Sequence, residues 1–284
     1  MTTEQTLNTT ANETAANQHD TQAALNNLLG AGCASTISDL GSGCTVLVLH
    51  GGGGTATVAG MAHALATTAR VLMPTHPGFD GTARPEHLGS VAELAHLYLQ
   101  LLEALDLRNV LVVGSSIGGW AAAAMALADR SGRINGLVLL NPVGIQVSGA
   151  PLTDVSGLSR PELVRLASHN PDLIMANAPP PTPERMAMLA SNANALAAYD
   201  NGQAMMVPGL REQLATVNTP TLVLWGESDG IASTAYGQAY AAAFANARFE
   251  TIPEAGHLPH IEQPARVLQH IAGFMQKVDA ATTA

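Results

Sequence analysis

The chain has 284 residues, of which 47% are hydrophobic, so it can bury a core large enough for one large domain or two small ones. A formal net charge of -10 at pH 7, with Lys277 as the only lysine, argues against a polyanion-binding surface, so neither nucleic acid nor a membrane is expected as a partner. No apolar run approaches the roughly 20 residues that span a bilayer, and no basic segment followed by an apolar one opens the chain, so we expect a cytoplasmic protein.

The first segment, residues 1 to about 24, is polar and lacks aromatic side chains. Its richness in Thr, Asn, Gln and Ala predicts a flexible or weakly helical tail outside the core. Cys33 and Cys44 follow this segment and are the only cysteines. They lie in no metal-binding spacing and are too few for a disulfide scaffold, so we expect two reduced thiols in preference to a disulfide between them.

Short apolar runs alternate with amphipathic segments along most of the remaining chain. Strands are predicted at Thr45–His50, Val71–Met73, Val110–Val113, Gly136–Leu140, Thr221–Trp225 and Arg248–Ile252. Helices are predicted from Val58, after a Ser90–Glu93 capping box, over about Ile117–Asp129 and Ser233–Ala245, and from Pro264. This alternation predicts an α/β fold, with a mostly parallel, doubly wound sheet that carries helices on both faces.

Residues 143–216 interrupt the alternation, because they contain Pro179-Pro180-Pro181-Thr182-Pro183 and several helical pieces but no convincing strand. We expect this segment to be a helical cap over the carboxyl ends of the strands, inserted into a core formed by residues 25–142 and 217–284. Its apolar side chains are expected either to pack the cap on the core or to line an apolar pocket; they are Leu173, Ile174, Met175, Met186, Met188, Leu189, Met205 and Met206.

A candidate nucleophile lies between a predicted strand and a predicted helix, in Gly114-Ser115-Ser116-Ile117-Gly118. The glycines on either side of Ser116 remove the Cβ atoms that would block a sharp strand-to-helix turn. Such a turn exposes one hydroxyl above the sheet. Ser116 is therefore the predicted nucleophile.

A serine hydroxyl needs a base, and the base needs an acid that holds its tautomer. Asp229 and His257 both follow predicted strands, and we expect them to meet Ser116 at the carboxyl edge of the sheet. Glu227 and, in the cap, Asp200 are rival acids. His260 is the rival base, although the Gly256 that precedes His257 favours His257.

The run Gly51–Gly54 after His50 predicts a loop whose backbone approaches the substrate closely. We expect the N–H groups of Gly52 and Ile117 to form an oxyanion hole. The run does not match a phosphate-binding or dinucleotide-binding glycine pattern, and no histidine lies in a zinc-binding spacing, so no metal or cofactor is predicted.

Three further polar residues are expected to have no part in the chemistry. The ring of His50 is expected to bond to nearby backbone. Asp80 and Asp106 lie at turns or helix ends and are expected to be ordinary surface carboxylates.

Over about residues 42–277 the chain resembles the α/β-hydrolase fold superfamily. The resemblance rests on His50-Gly51, Gly114-Ser115-Ser116-Ile117-Gly118, Gly226-Glu227-Ser228-Asp229 and Gly256-His257. Ser116 argues against the dehalogenase and epoxide hydrolase branches, which use an aspartate nucleophile. Two departures are visible: Ala34–Gly43 is short for the antiparallel hairpin that usually opens the sheet, and His76 stands where relatives often have Asp.

The resemblance implies a serine hydrolase that needs no cofactor and acts on a small-molecule substrate. We expect it to cleave a small or medium carboxylic ester through an acyl-enzyme. The same three residues could serve carbon–carbon bond, lactone or amide hydrolysis, or acyl transfer. A non-catalytic ligand-binding protein or receptor on the same fold is the remaining alternative, and homo-oligomerisation is left open.

Overall fold

A seven-stranded sheet forms the centre of the computed structural model, which describes residues 3–282, with side chains from 16 to 280. The strands are β1 (Ile37–Leu40), β2 (Thr45–Leu49), β3 (Arg70–Pro74), β4 (Val110–Ser115), β5 (Ile134–Leu140), β6 (Thr221–Gly226) and β7 (Ala247–Ile252). Their order across the sheet is β1-β3-β2-β4-β5-β6-β7, and each neighbouring pair is parallel except β1 and β3. The predicted mostly parallel sheet is confirmed.

Eleven α-helices lie between and around the strands in the described part of the chain. They are α1 (Thr3–Leu29), α2 (Ala59–Leu65), α3 (Val91–Ala104), α4 (Ile117–Ala128), α5 (Arg160–Ala167), α6 (Pro171–Ala176), α7 (Pro183–Asp200), α8 (Leu210–Leu214), α9 (Thr234–Ala241), α10 (Pro259–Glu262) and α11 (Pro264–Thr282). Ser90 accepts a hydrogen bond from the N–H of Glu93, so the predicted cap does begin α3. Within residues 3–282, no helix has both the length and the hydropathy needed to cross a membrane.

Alternate residues of the central strands point to opposite faces of the sheet, and both faces are covered. In β2, Leu47 and Leu49 join the larger core beneath α3, α4 and α9, whereas Val46 and Val48 join a second core beneath α2 and α11. All four side chains are fully buried. Burial of each such side chain stabilises the fold by about 1.5–3 kcal/mol. Because both faces of the sheet gain from this burial, a continuous apolar run is typical of a strand that is covered on both faces.

Residues 18–24 of α1 do not belong to the flexible or weakly helical tail that the composition predicts for residues 1 to about 24. Leu25 and Leu29 at the end of α1 are buried in the larger core. Further back, the side chains of Gln18 and Gln22 hydrogen-bond to the backbone of β1 and to the carbonyl of Ser35 just before it. Residues 18–24 therefore contact the sheet through polar side chains, which a search for apolar periodicity does not detect.

The beginning of the sheet also departs from the hairpin that usually opens it. The chain turns tightly between β1 and β2, but β1 does not pair with β2. It crosses to β3 instead, with Ile37 opposite Pro74 and Leu40 opposite Val71. Cys33 and Cys44 lie on either side of this short strand and are free thiols, as predicted.

The predicted cap segment, residues 143–216, contains α5 to α8 and no named strand. One isolated parallel bridge joins Gly144 to Met206 at its two ends. Its apolar residues differ in burial: Met205 packs against the core, whereas Leu173, Met186 and Met188 are exposed. Packing on the core therefore explains only part of this apolar set.

Candidate active site

Ser116 lies at a sharp turn between β4 and α4. Its backbone has φ 54° and ψ -119°, a conformation that non-glycine residues rarely adopt. A Cβ added at Gly114 would lie 2.3 Å from the carbonyl oxygen of Gly118, and one added at Gly118 would lie 2.4 Å from that of Leu49. Only glycine fits at either position, so the local sequence both permits the turn and projects the Ser116 hydroxyl from the sheet edge.

His257 lies in the loop after β7 and contacts the serine directly. Its Nε2 is 2.9 Å from Oγ of Ser116, and its Nδ1 is 2.8 Å from Oδ2 of Asp229. If Nδ1 carries the hydrogen and donates it to the carboxylate, Nε2 is left as an acceptor for the serine proton. The three predicted side chains thus form one hydrogen-bonded chain, although they come from three different loops.

Asp229 follows β6 and its carboxylate is fully buried. Its Oδ1 accepts the N–H groups of Ile231 at 2.8 Å and Ala232 at 3.2 Å. Burial alone would raise the pKa of this carboxyl. The charge and hydrogen bond of His257, together with the bonds from Asn141 and Ala232, lower the pKa below its ordinary value. The acid is therefore held in its ionised form.

Asn141 is a site residue that the sequence analysis missed. It lies directly after β5, fully buried, with φ 43°. Its Nδ2 donates to Oδ2 of Asp229 at 2.7 Å, and its Oδ1 accepts the N–H of Gly226 at 3.2 Å. The signal available in the sequence was its position: a polar residue at the carboxyl end of an apolar strand, next to the strand that leads to the acid.

The two predicted oxyanion donors, Ile117 and Gly52, come from the start of α4 and from the glycine loop. Ile117 is the first residue of α4, where a backbone N–H has no acceptor within the helix. The glycine loop lies against the nucleophile, since a Cβ added at Gly51 would be 3.3 Å from Cβ of Ser116. At Gly52 the nearest atom to an added Cβ would be Cδ2 of Leu196, at 3.0 Å. A side chain of α7 therefore lies over the proposed donor.

The rings of His50 and His76 pack against each other, with centroids 3.8 Å apart and planes tilted by 32°. The N–H of His76 donates to Nε2 of His50, so Nδ1 of His50 donates to the carbonyl of Gly51. In turn His76 bonds to the His50 carbonyl through Nε2 and to the Tyr98 hydroxyl through Nδ1. Burial lowers the pKa of His50 to about 4 and that of His76 well below its usual value, so both rings are neutral supports for the loop. The prediction that His50 bonds nearby backbone is confirmed.

The rival residues do not join the chain of hydrogen bonds. His260 is buried and its Nε2 lies 3.0 Å from the carbonyl oxygen of Thr57. Asp200, at the end of α7, accepts the N–H of Met205. The side chain of Glu227 is exposed. The structure thus brings His257 and Asp229 to Ser116 and keeps these three elsewhere.

Asp80 is not the ordinary surface carboxylate that we expected, whereas Asp106 is largely exposed. Half-buried, Asp80 accepts the N–H of Thr55 at 2.9 Å and the Nδ2 of Asn192 at 3.1 Å. The backbone N–H of Asp80 donates in return to Oδ1 of Asn192 at 2.7 Å. This residue therefore connects the glycine loop to α7, a long-range contact that a turn motif does not reveal.

In this arrangement Nε2 of His257 can accept the proton of the Ser116 hydroxyl, and backbone N–H groups can stabilise a negative charge that develops beside it. Among the described residues, no group of three or more His, Cys, Asp or Glu side chains is arranged to bind a metal ion.

Comparison with known proteins identifies the family of this chain. A model of the alpha/beta hydrolase family matches residues 46–270. The chain is 26% identical over 275 residues to a 2-hydroxymuconate semialdehyde hydrolase of Pseudomonas putida, covering 89% of this chain and 94% of that one.

Solved structures are similar as well. A variant of a meta-cleavage product hydrolase from Pseudomonas fluorescens superposes with a TM-score of 0.68 at 23% identity, covering 89% of this chain and 99% of that one. For a putative lipase from Acinetobacter baumannii the TM-score is 0.69 at 23% identity, with 93% and 97% covered. These likenesses show a common fold. With the family match over most of its length, the chain belongs to the alpha/beta hydrolase family.

Proposed function

We propose that this hydrolase cleaves carboxylic esters of small or medium size, with Ser116 as nucleophile, His257 as general base and Asp229 as the acid that orients the base. The observation that carries the proposal is the 2.9 Å contact between Oγ of Ser116 and Nε2 of His257, with Asp229 at 2.8 Å from the other ring nitrogen. This is the geometry that activates a serine for attack on a carbonyl.

In the first half of the reaction, Oγ of Ser116 bonds to the ester carbonyl carbon while Nε2 of His257 takes the hydroxyl proton. The carbonyl oxygen becomes negatively charged, and the N–H groups of Ile117 and Gly52 stabilise it. When the carbon–oxygen bond to the alcohol breaks, His257 returns the proton to the leaving oxygen. An acyl-enzyme and a free alcohol result.

In the second half, a water molecule gives a proton to His257 and its oxygen bonds to the acyl carbon. The bond to Oγ of Ser116 then breaks, and the serine recovers the proton from His257. Asp229 remains ionised throughout, since its lowered pKa and buried hydrogen bonds favour the charged form. The product is a carboxylic acid, and the enzyme is regenerated.

Hydrolysis of a carbon–carbon bond is a second candidate. It is favoured by the similarity to 2-hydroxymuconate semialdehyde hydrolases, which are 26% identical over 89% of this chain. Here the leaving group is a carbanion delocalised into a conjugated ketone, and His257 would deliver the proton to carbon instead of oxygen. The two reactions therefore differ in the bond broken and in the site of protonation.

Steady-state hydrolysis of p-nitrophenyl esters of graded chain length tests the proposal. We expect Ser116→Ala to lower kcat by at least about 1000-fold. Ser115→Ala is the matched control, because the Ser115 hydroxyl is buried and has no hydrogen-bond partner among the described residues. A Ser116→Ala protein that retains turnover would overturn the assignment of the nucleophile.

Two further measurements separate the alternatives. A fluorophosphonate should label Ser116, identified by mass spectrometry of the modified peptide; a ligand-binding protein without turnover would resist labelling. A panel of esters, lactones and vinylogous diketones then ranks the reactions by kcat/KM. A preference for a diketone over every ester would replace ester hydrolysis with the second candidate.

A further inference from the structure

Glu262 connects the loop that carries His257 to the segment between α5 and α6. It ends α10, the short helix that starts two residues after His257. One turn of this helix brings the Glu262 carboxylate back to the loop that carries His257. In this position Oε2 of Glu262 accepts the N–H of Gly256 at 2.6 Å, one residue before the base.

The same carboxylate also bonds to the predicted cap. Its Oε2 accepts the N–H of His169 at 3.1 Å, and its Oε1 accepts the N–H of Asn170 at 2.9 Å. Three backbone donors thus converge on one half-buried anion, and bonds to a charged acceptor are about twice as strong as neutral ones. Glu262 is the common partner of two segments that are 86 residues apart, between Asn170 and Gly256.

Neighbouring contacts leave little space for the two segments to slide past one another. The N–H of His257 donates to the carbonyl of Ala167 at 2.7 Å. A Cβ added at Gly256 would lie only 2.2 Å from that same carbonyl oxygen, so the two backbones approach as closely as glycine allows. The position of the imidazole therefore depends on how firmly residues 256–257 are held against residues 167–170.

The acid loop is held against the same segment. The N–H of Gly230, next to Asp229, donates to the carbonyl of Leu166 at 3.0 Å. On the other side, Nδ1 of His169 lies 2.8 Å from Oγ of Ser228. Both the base and the acid loops are thus held by contacts with the end of α5 and the residues after it, and the Glu262 carboxylate joins this segment to the base loop.

We propose that Glu262 is a positioning residue for His257, which keeps Nε2 at hydrogen-bond distance from Ser116 by holding Gly256 against residues 169–170. This inference rests on the proposed function. Glu262 acts on the orientation of the base and leaves substrate binding largely unchanged. Displacement of a reacting group by about 1 Å can cost about 100-fold in rate, so a small movement of this loop is sufficient.

Glu262→Ala and Glu262→Gln test the role by graded loss of acceptors. Alanine removes all three hydrogen bonds. Glutamine keeps one oxygen for Gly256 and His169, but its NH2 group then faces the N–H of Asn170. We expect kcat for a p-nitrophenyl ester to fall roughly 10- to 100-fold in Glu262→Ala and by less in Glu262→Gln, with KM within about 3-fold of wild type.

Glu254→Gln is the control, because it removes the same charge from an exposed side chain two residues before Gly256. It should behave as wild type. The rate of fluorophosphonate labelling of Ser116 should fall in parallel with kcat in the Glu262 variants, since both need the base in place. Thermal unfolding establishes that each variant is folded at the assay temperature, and Glu262→Gln serves if the alanine variant does not fold.

Wild-type kcat in Glu262→Ala, or equal losses in the alanine and glutamine variants, would overturn the positioning role. So would a loss confined to temperatures at which the variant unfolds. Activity in Ser116→Ala would instead refute the proposed function. An inactive Ser116→Ala together with fully active Glu262 variants would refute only the inference about Glu262.

Discussion

The amide of Asn141 donates to the same carboxylate oxygen of Asp229 that contacts the base, at 2.7 Å from Oδ2, while Nδ1 of His257 lies at 2.8 Å. The second oxygen accepts the N–H groups of Ile231 and Ala232. Asp229 therefore has four hydrogen-bond donors around a fully buried charge. A buried carboxylate that lost one of them would be costly to keep ionised.

We predict that Asn141→Ala lowers kcat/KM about 10-fold or more, because it removes one donor from a buried anion. The hydrogen bond from Asn141 lowers the pKa of Asp229, so its loss raises that pKa. The acid limb of the kcat/KM profile should therefore move to higher pH. Asn141→Asp should be worse than Asn141→Ala, since it places a second carboxylate beside the first. An unchanged acid limb would contradict the prediction.

Stability should fall as the pH is lowered from about 6.5 to about 4, because three histidines are buried in neutral form. Burial lowers the pKa of His50 and His260 to about 4 and that of His76 well below its usual value. In this range the unfolded chain binds more protons than the folded protein, so the free energy of unfolding decreases as protons are added.

Urea unfolding at pH 7, 6 and 5 measures this effect. Protonation of one such histidine in the unfolded chain costs about 2 kcal/mol of stability by pH 5. His260→Gln should lose less stability between pH 7 and pH 5 than wild type does. The ionised Asp80 and Asp229 have lowered pKa values and add their own loss only below about pH 4. If the free energy of unfolding fell equally with pH in wild type and in His260→Gln, the result would count against the role given to His260.

Asn192→Ala should loosen the contact between α7 and the glycine loop. It removes both hydrogen bonds that this side chain makes with Asp80, which itself binds Thr55. We expect faster backbone hydrogen exchange in residues 51–58 and in α7, with a loss of about 1–2 kcal/mol in the free energy of unfolding. Asn194→Ala is the control, because Asn194 is exposed on the same helix. Exchange rates that match in the two variants would refute a link through Asn192.

Gln22→Ala should destabilise the outer edge of the sheet. The amide of Gln22 donates to the carbonyl of Ser35 at 2.7 Å and accepts the N–H of Ile37 at 3.1 Å, so α1 satisfies backbone groups that β1 would otherwise expose. We expect a loss of about 1–2 kcal/mol from the free energy of unfolding and an increased tendency to aggregate. Gln100→Ala, an exposed position on α3, should change neither quantity.

Much of the molecule was predictable because its signals are local. The β4 run, the two glycines around Ser116 and the helix that follows form one continuous stretch of the sequence, and the structure shows that no Cβ fits at either glycine. Parallel strands place their carboxyl ends at one edge, so the loops with Asp229 and His257 could be assigned to that edge without coordinates. The comparisons confirm the family, whereas the chemical roles of these residues stay predictions.

Other contacts required the tertiary structure. Gln22 acts on β1, Asp80 on α7, Asn141 on Asp229, and Glu262 on residues 169–170; each joins segments that chain order leaves apart. Hydropathy patterns predict which side chains leave water, but a polar side chain that satisfies a distant backbone group has no period and no motif. The alternation of apolar residues thus determined the sheet and the edge where the candidate site lies. Which polar groups hold that edge in place was decided only by packing, because hydrogen bonds need atoms within about 3 Å in three dimensions.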